Sequence, residues 1–180
     1  MVLKKKPSEF LNPEEVLNQL DLKSDMVVAE FGCGSGGFTI PLAKKLENGL
    51  VYALDVQETP LSALKSRSLL ENITNIRIIR CDLEKPRGST LPDFSLDLVL
   101  VPNLLFQVQD KIAIISEAKR VLKKEGELLV VDWLSEAVQG PEKGRISAKE
   151  VKKIAKDLGL SLQKEFKAGK YHYGLVFAKS

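Results

Sequence analysis

Imidazoles and thiols are scarce in this chain, which has one histidine and two cysteines. A zinc site draws its ligands from clustered Cys and His, and Cys33 and Cys81 lack metal-ligand spacing, so no metal is expected. Nor can two cysteines build a disulfide framework, and both are read as free thiols. Long hydrophobic runs are missing too. No stretch of about 18 apolar residues is present to cross a bilayer, and Met1–Phe10 lacks the apolar core of a signal peptide, so no membrane partner and a cytoplasmic place are expected. Charge of one sign is also absent. The 27 basic and 24 acidic residues leave a net charge of +3, dispersed along the chain, and nucleic acid is not an expected partner. The one compact basic run, Lys4–Lys6, reads as a solubilising tail. With no repeats, low-complexity segments or linker, 180 residues at 44% hydrophobic suit one domain with its own core.

What is there is an alternation of strand and helix signals, the pattern of a parallel sheet covered on both faces. Met26–Phe31, Leu50–Asp55, Ile76–Cys81, Leu96–Val101 and Glu127–Asp132 are mostly Val/Ile/Leu-rich with little polar alternation, as strands buried on both faces are. Asn12-Pro13-Glu14-Glu15 opens a helix before the first strand, with Asn as cap and Pro at the first helical position. Phe38, Leu42 and Leu46 give the next helix one apolar face, and Thr59-Pro60 opens a third. Asp110 caps a fourth, whose stripe Ile114, Ile115, Ala118, Val121 and Leu122 ends at Lys123, Lys124 and Gly126. Ser147-Ala148-Lys149-Glu150 is a capping box for a helix stopping at Gly159. Leu83–Ser95, with two prolines and a glycine, is expected to be irregular. Two last strands, Leu160–Phe166 and Tyr171–Ala178, form a hairpin through Lys167–Lys170, so a mostly parallel sheet finishes with an antiparallel strand.

Between the first strand and the second helix stands Glu30-Phe31-Gly32-Cys33-Gly34-Ser35-Gly36-Gly37. Glycines in this position let a ligand approach the backbone while a helix N-terminus points at it. Gly32, Gly34 and Gly37 satisfy the dinucleotide fingerprint G-x-G-x-x-G, with Asp55 at the distance expected of a ribose ligand. Glu30 argues against a dinucleotide. At ~6 Å and an effective dielectric of ~20, each unit charge pair is worth roughly 3 kcal/mol. That interaction is repulsive for a pyrophosphate and attractive for a ligand bearing ammonium and sulfonium groups. The bland alternative has Glu30 turned away into a salt bridge, and Asp55 and Asp82 merely capping turns.

In these motifs the chain resembles the class I S-adenosylmethionine-dependent methyltransferases, from Phe10 to Ala178. The family's acidic-x-G-x-G-x-G is matched by Glu30, Gly32, Gly34 and Gly36, with Ser35 inside it. The resemblance implies that Asp55 holds the ribose hydroxyls, that Asp82 lies near the adenine amino group, and that Val56 and Leu83 wall the ring. Pro102 and Asn103, ending the fourth strand, would join the cofactor site. It also implies a Rossmann-like, doubly wound seven-stranded sheet of order 3-2-1-4-5-7-6. Residues 1–180 would then form a single methyltransferase domain, with 1–24 as its N-terminal lead and helix. The expected cofactor is S-adenosylmethionine and the expected partner a small-molecule methyl acceptor. The general pattern is similar to the branch containing quinone-biosynthesis and small-metabolite enzymes. An RNA or protein acceptor, or a module that binds cofactor without turnover, is the alternative.

Acceptor chemistry would sit beyond the C-terminal ends of the parallel strands. The family order brings Phe106, Asp132 and Trp133 to that rim beside Tyr171 and His172, giving Phe106, Trp133 and Tyr171 as acceptor contacts. His172 is the candidate general base, oriented by a carboxylate such as Asp132. In the alternative, Tyr171 and Tyr173 pack under the last helix and His172 meets solvent. Ser8–Leu20 and the glycine-bearing loop Leu134–Ile146 are the expected covers of the rim.

Overall fold

The apolar runs pair as strands wherever they can be buried from both sides. The computed structural model describes residues 10–180, so the Lys4–Lys6 run and the start of the N-terminal lead lie outside the described residues. The strands are β1 (Val27–Phe31), β2 (Leu50–Asp55), β3 (Ile76–Arg80), β4 (Leu96–Pro102), β5 (Leu122–Trp133), β6 (Leu160–Ala168) and β7 (His172–Lys179). They form one sheet of order β3-β2-β1-β4-β5-β7-β6. The first five run parallel, and β7 lies antiparallel between β5 and β6. This is the order and mixed polarity expected of the class I fold.

Helices α1 (Pro13–Leu17), α2 (Thr39–Lys45), α3 (Glu58–Leu70), α4 (Lys111–Val121) and α5 (Ala148–Asp157) cover the sheet. Because side chains alternate along a strand, β1 gives Ala29 and Phe31 to one face and Val28 and Glu30 to the other. Ala29 and Phe31 join the cluster holding Ile114, Ile115 and Ala118 of α4 and Val151 and Ala155 of α5. Val28 joins Val16 and Leu17 of α1 and Leu42 of α2 on the opposite face. Leu61 and Leu64 of α3 pack with Ala53 and Ile40 near the Gly-rich loop.

Local signals act as their chemistry predicts at three helix starts. Asn12 accepts from the Glu14 amide, Asp110 from the Ala113 amide, and Ser147 and Glu150 make a reciprocal capping box. Two helix boundaries differ from expectation, and β5 begins at Leu122 where Glu127 was expected. α3 begins at Glu58 after an extended Gln57, because Asp55 Oδ1 accepts from the Gln57 amide and sets the turn ahead of Thr59-Pro60. α4 stops at Val121 rather than running toward Gly126. Leu122 turns extended and pairs with Leu96, and Lys179 Nζ donates to the Lys119 and Leu122 carbonyls that the helix end leaves open.

The crossover from Leu83 to Ser95 is irregular, as its prolines imply, and charge braces it. Glu117, buried on α4, accepts from the Ser89 amide (3.0 Å) and hydroxyl, and pairs with Arg120, which also holds Asp93. Burial would raise the Glu117 carboxyl, but the Arg120 guanidinium and the Ser89 donors bring it below its ordinary value. Among the described residues no helix is long and apolar enough to cross a membrane.

Candidate cofactor site and acceptor rim

The turn leaving β1 is fixed by its own backbone. Gly32 and Cys33 amides donate to the Leu54 carbonyl at 2.8 and 2.9 Å, tying the loop to the end of β2. Gly34, at φ +52°, has nothing within 4 Å of where a Cβ would project, so its backbone is open to a ligand. Gly36, at φ +91°, faces the protein instead: a Cβ there would fall 2.5 Å from Leu64 Cδ1. Its glycine is required for packing α3 against the loop, whereas the sequence had suggested a ligand contact. Ser35 is exposed, and its carbonyl accepts from Arg67.

Asp55 ends β2 with both oxygens engaged once, Oδ2 by the Gly34 amide and Oδ1 by the Gln57 amide, each at 2.9 Å. A carboxylate has about four acceptor positions, so each oxygen retains a lone pair for a further donor. Asp82 Oδ1 accepts from the Glu84 amide at 3.0 Å. The turn-capping role is therefore real for both aspartates and leaves acceptor capacity over. Asp55, Val56, Asp82 and Leu83 line one small cleft with Gly32, Glu84, Leu104 and Val108. Val56 is 56% exposed, an apolar side chain without cover on its outer side.

Glu84 was not singled out by sequence. Its Oε1 accepts from the Gln109 and Asp110 amides at 2.9 and 2.7 Å, lashing the segment after β4 across the cleft. A glutamate beside a turn carries no pattern that announces such a long-range tether.

Glu30 does not point to solvent or to a salt bridge. It is 2% exposed and accepts from the Thr39 hydroxyl in the first turn of α2. Burial pushes its carboxyl up to about 8, against the lowering effect of Thr39, with the nearby Asp55 charge adding to the rise. On the neighbouring strand Pro102 is buried, and Asn103 follows at φ +52° with its amide donating to the Val131 carbonyl. The Asn103 Oδ1 atom is buried without a hydrogen-bond partner. Leu104 lies against Gly32.

At the rim the period-2 alternation separates the two residues paired in the sequence reading. Trp133 sits opposite His172 and Asp132 opposite Tyr173, so Asp132 and His172 project from opposite faces of the sheet. Asp132 accepts from the Phe106 amide at 3.3 Å and the Trp133 amide at 2.8 Å, and burial raises its carboxyl to about 6. It holds the turn carrying Phe106 and does not orient the imidazole, which corrects the expected carboxylate–histidine pair. His172 is not solvent-facing either. It is 2% exposed, its ring centroid lies 4.1 Å from that of Trp133, and burial drops its pKa to about 4. Tyr173 packs on the α5 side, as the alternative had it, donating to the Ile146 carbonyl at 3.0 Å. Tyr171 is buried against Phe10, with ring centroids 5.9 Å apart.

The loop between β5 and α5 is organised by Arg145, another residue the sequence did not flag. Its guanidinium donates to the carbonyls of Leu134, Ser135, Ala137, Gln139 and Pro141, at 2.6 to 3.3 Å. So held, the loop brings Gly140 against the Trp133 indole and Gly144 against the Phe106 carbonyl. Among the described residues no group of three or more His, Cys, Asp or Glu could hold a metal ion.

Residues 22–172 match a protein family described as a methyltransferase domain. The chain belongs to that family. A methyltransferase structure similar to this one is that of an S-adenosylmethionine-dependent enzyme from Aquifex aeolicus. It has a TM-score of 0.86 and 28% identity, covering 96% of this chain and 92% of the other. A probable cobalt-precorrin-6B C(15)-methyltransferase of Methanocaldococcus jannaschii is 38% identical over 64 residues, 36% of this chain and 34% of that protein. A probable ribosomal RNA small subunit methyltransferase A of Methanosphaera stadtmanae is 30% identical over 97 residues, 54% of this chain and 33% of that one. These matches span about a third of each curated relative.

Proposed function

We propose that this methyltransferase-family protein transfers a methyl group from S-adenosylmethionine to a small-molecule acceptor. The observation that carries the reading is the cleft joining Gly32, Asp55, Asp82 and Leu83, with Glu30 buried behind the same loop. The donor chemistry of these residues fits the cofactor. Asp55 has two spare acceptor positions for two vicinal ribose hydroxyls, Val56 and Leu83 offer apolar walls to adenine, and Gly34 leaves backbone open. Glu30 and the unpartnered Asn103 Oδ1 suit the ammonium end. S-adenosylmethionine would supply an electrophilic methyl group carried on a sulfonium.

The protein's own part is positioning and exclusion of water. Alignment of acceptor with donor can supply roughly 7 to 11 kcal/mol. No strong base is required, and His172, neutral well below pH 7, is a weak one. A small acceptor is favoured by the Arg145-bound loop, which covers Trp133 and narrows the rim.

Calorimetric titration with S-adenosylhomocysteine, with NAD in parallel, tests the cofactor. Micromolar binding of the first alone is expected, and Asp55→Ala should weaken it by about 1 to 3 kcal/mol, leaving ribose hydroxyls unpaired. Binding of NAD, or an unchanged affinity in the variant, refutes the assignment. Incubation with radiolabelled cofactor and cell extract, followed by size separation, tests the acceptor. Label is expected in the low-mass fraction, and label in RNA or protein overturns that part.

A further inference from the structure

Three buried side-chain atoms among the described residues lack a hydrogen-bond partner: Asn103 Oδ1 and both ring nitrogens of His172. Asn103 is assigned above to the ammonium end of the cofactor, and His172 is left. An imidazole at 2% exposure with neither nitrogen satisfied is costly, and a fold retains such a cost where something else supplies the partner. Asp132 is engaged on the other face of the sheet, so no carboxylate orients the ring. Held neutral, the ring offers one N–H donor and one lone pair.

The two nitrogens point away from each other, so one ligand group meets one of them. A hydroxyl serves at either, donating to the lone pair or accepting from the N–H, without bringing a charge. A carboxylate would set its charge against the ring lone pair in a buried site, and a cation would leave the N–H unpaired. The imidazole is also stacked on Trp133, at a centroid distance of 4.1 Å and an interplanar angle of 41°, and Gly140 closes on that indole. One face of the imidazole is thus aromatic.

We propose that His172 and Trp133 form the acceptor-binding site, and that the acceptor is an uncharged aromatic compound bearing a hydroxyl group. The inference rests on the methyltransferase reading and specifies its substrate class. The hydroxyl hydrogen-bonds the imidazole, and its ring packs beside the Trp133 indole. His172 is then a recognition residue touching the substrate, and the acceptor enters by displacing the Gly140 segment of the loop.

The chain's single histidine and single tryptophan make this measurable without assignment experiments. The wild-type protein, saturated with S-adenosylhomocysteine, is titrated with phenol, toluene and benzoate. The imidazole nitrogens are followed by NMR and Trp133 by fluorescence. Phenol is expected to shift a ring-nitrogen resonance saturably, with toluene and benzoate binding at least about tenfold more weakly, the factor for one lost hydrogen bond. In His172→Phe, which keeps an aromatic ring against Trp133, phenol should lose its advantage over toluene. If S-adenosylhomocysteine binds but phenol leaves the nitrogens unmoved, or phenol and toluene bind alike, this inference is wrong while the cofactor reading stands. If S-adenosylhomocysteine does not bind, the methyltransferase reading falls and the inference with it.

Discussion

Glu30→Gln isolates the energetic cost of keeping an acid inside this protein. The side chain is fully buried beside Thr39, and burial moves its carboxyl from 4.5 to about 8. A carboxyl raised in the folded state favours folding while it is protonated. That contribution is intact below about pH 4.5 and is lost as the pH climbs toward 8, at about 1.4 kcal/mol per pH step. The loss reaches roughly 3 kcal/mol at pH 7 and roughly 4 kcal/mol at pH 8. Glutamine keeps an oxygen for the Thr39 hydroxyl and never ionises. Urea unfolding should therefore find the variant close to wild type near pH 4.5 and more stable by those amounts at pH 7 and 8. A stability difference that does not change with pH would refute the argument. The same variant bears on the cofactor. If the ammonium of S-adenosylhomocysteine pairs with ionised Glu30, wild-type affinity should fall about fiftyfold from pH 8 to pH 6, following the ionised fraction. Glu30→Gln should bind weakly with no such slope.

Two glycines of one loop should separate fold from ligand. Gly36→Ala places a Cβ 2.5 Å from Leu64 Cδ1 at φ +91° and is expected to cost roughly 1 to 3 kcal/mol in thermal unfolding. Gly34→Ala meets no atom within 4 Å and carries only the strain of φ +52°, so it should cost less stability than Gly36→Ala while weakening S-adenosylhomocysteine binding more. Glu84→Ala frees the Gln109 and Asp110 amides; faster amide exchange over 103–110 and severalfold weaker S-adenosylhomocysteine binding are expected. Unchanged exchange there would mean the tether carries no load. Arg145→Met removes the donor shared by five carbonyls. Exchange should rise across 134–146 and Trp133 emission should shift to the red, with the global unfolding midpoint little moved.

The strands and the loops carrying Glu30, Asp55 and Asp82 were legible because each is a local pattern: an apolar run, a glycine cluster, a carboxylate at a strand end; the strand order came with the family resemblance. Boundaries failed where a distant group intervened, as at Leu122, whose carbonyl is taken by Lys179 from the far end of the chain. The same holds for Thr39 under Glu30, Glu84 across the cleft and Arg145 inside its loop, whose partners are main-chain atoms or side chains outside their own segment. One error was avoidable. Asp132 and Trp133 are consecutive in a strand, so only one of them can share a face with His172. Alternation alone would have ruled out placing both beside it, and the observed register assigns the tryptophan to the histidine.

The crossover braced by Glu117 and Arg120 has a consequence for how such a cleft changes over time. A wall made of helix or strand is committed along its whole length, since each residue supports the next. This one is pinned at Ser89 and Asp93. The segment between Asp82 and those pins pairs with no strand, so exposed positions in it can be recomposed without disturbing the sheet behind it, provided Glu84 and Gly88 are kept. A library confined to residues 85–87, with Gly88 kept because a Cβ there would fall 2.0 Å from the Asp82 carbonyl, would thus be a conservative way to vary the edge beside the pocket, since it spares the frame.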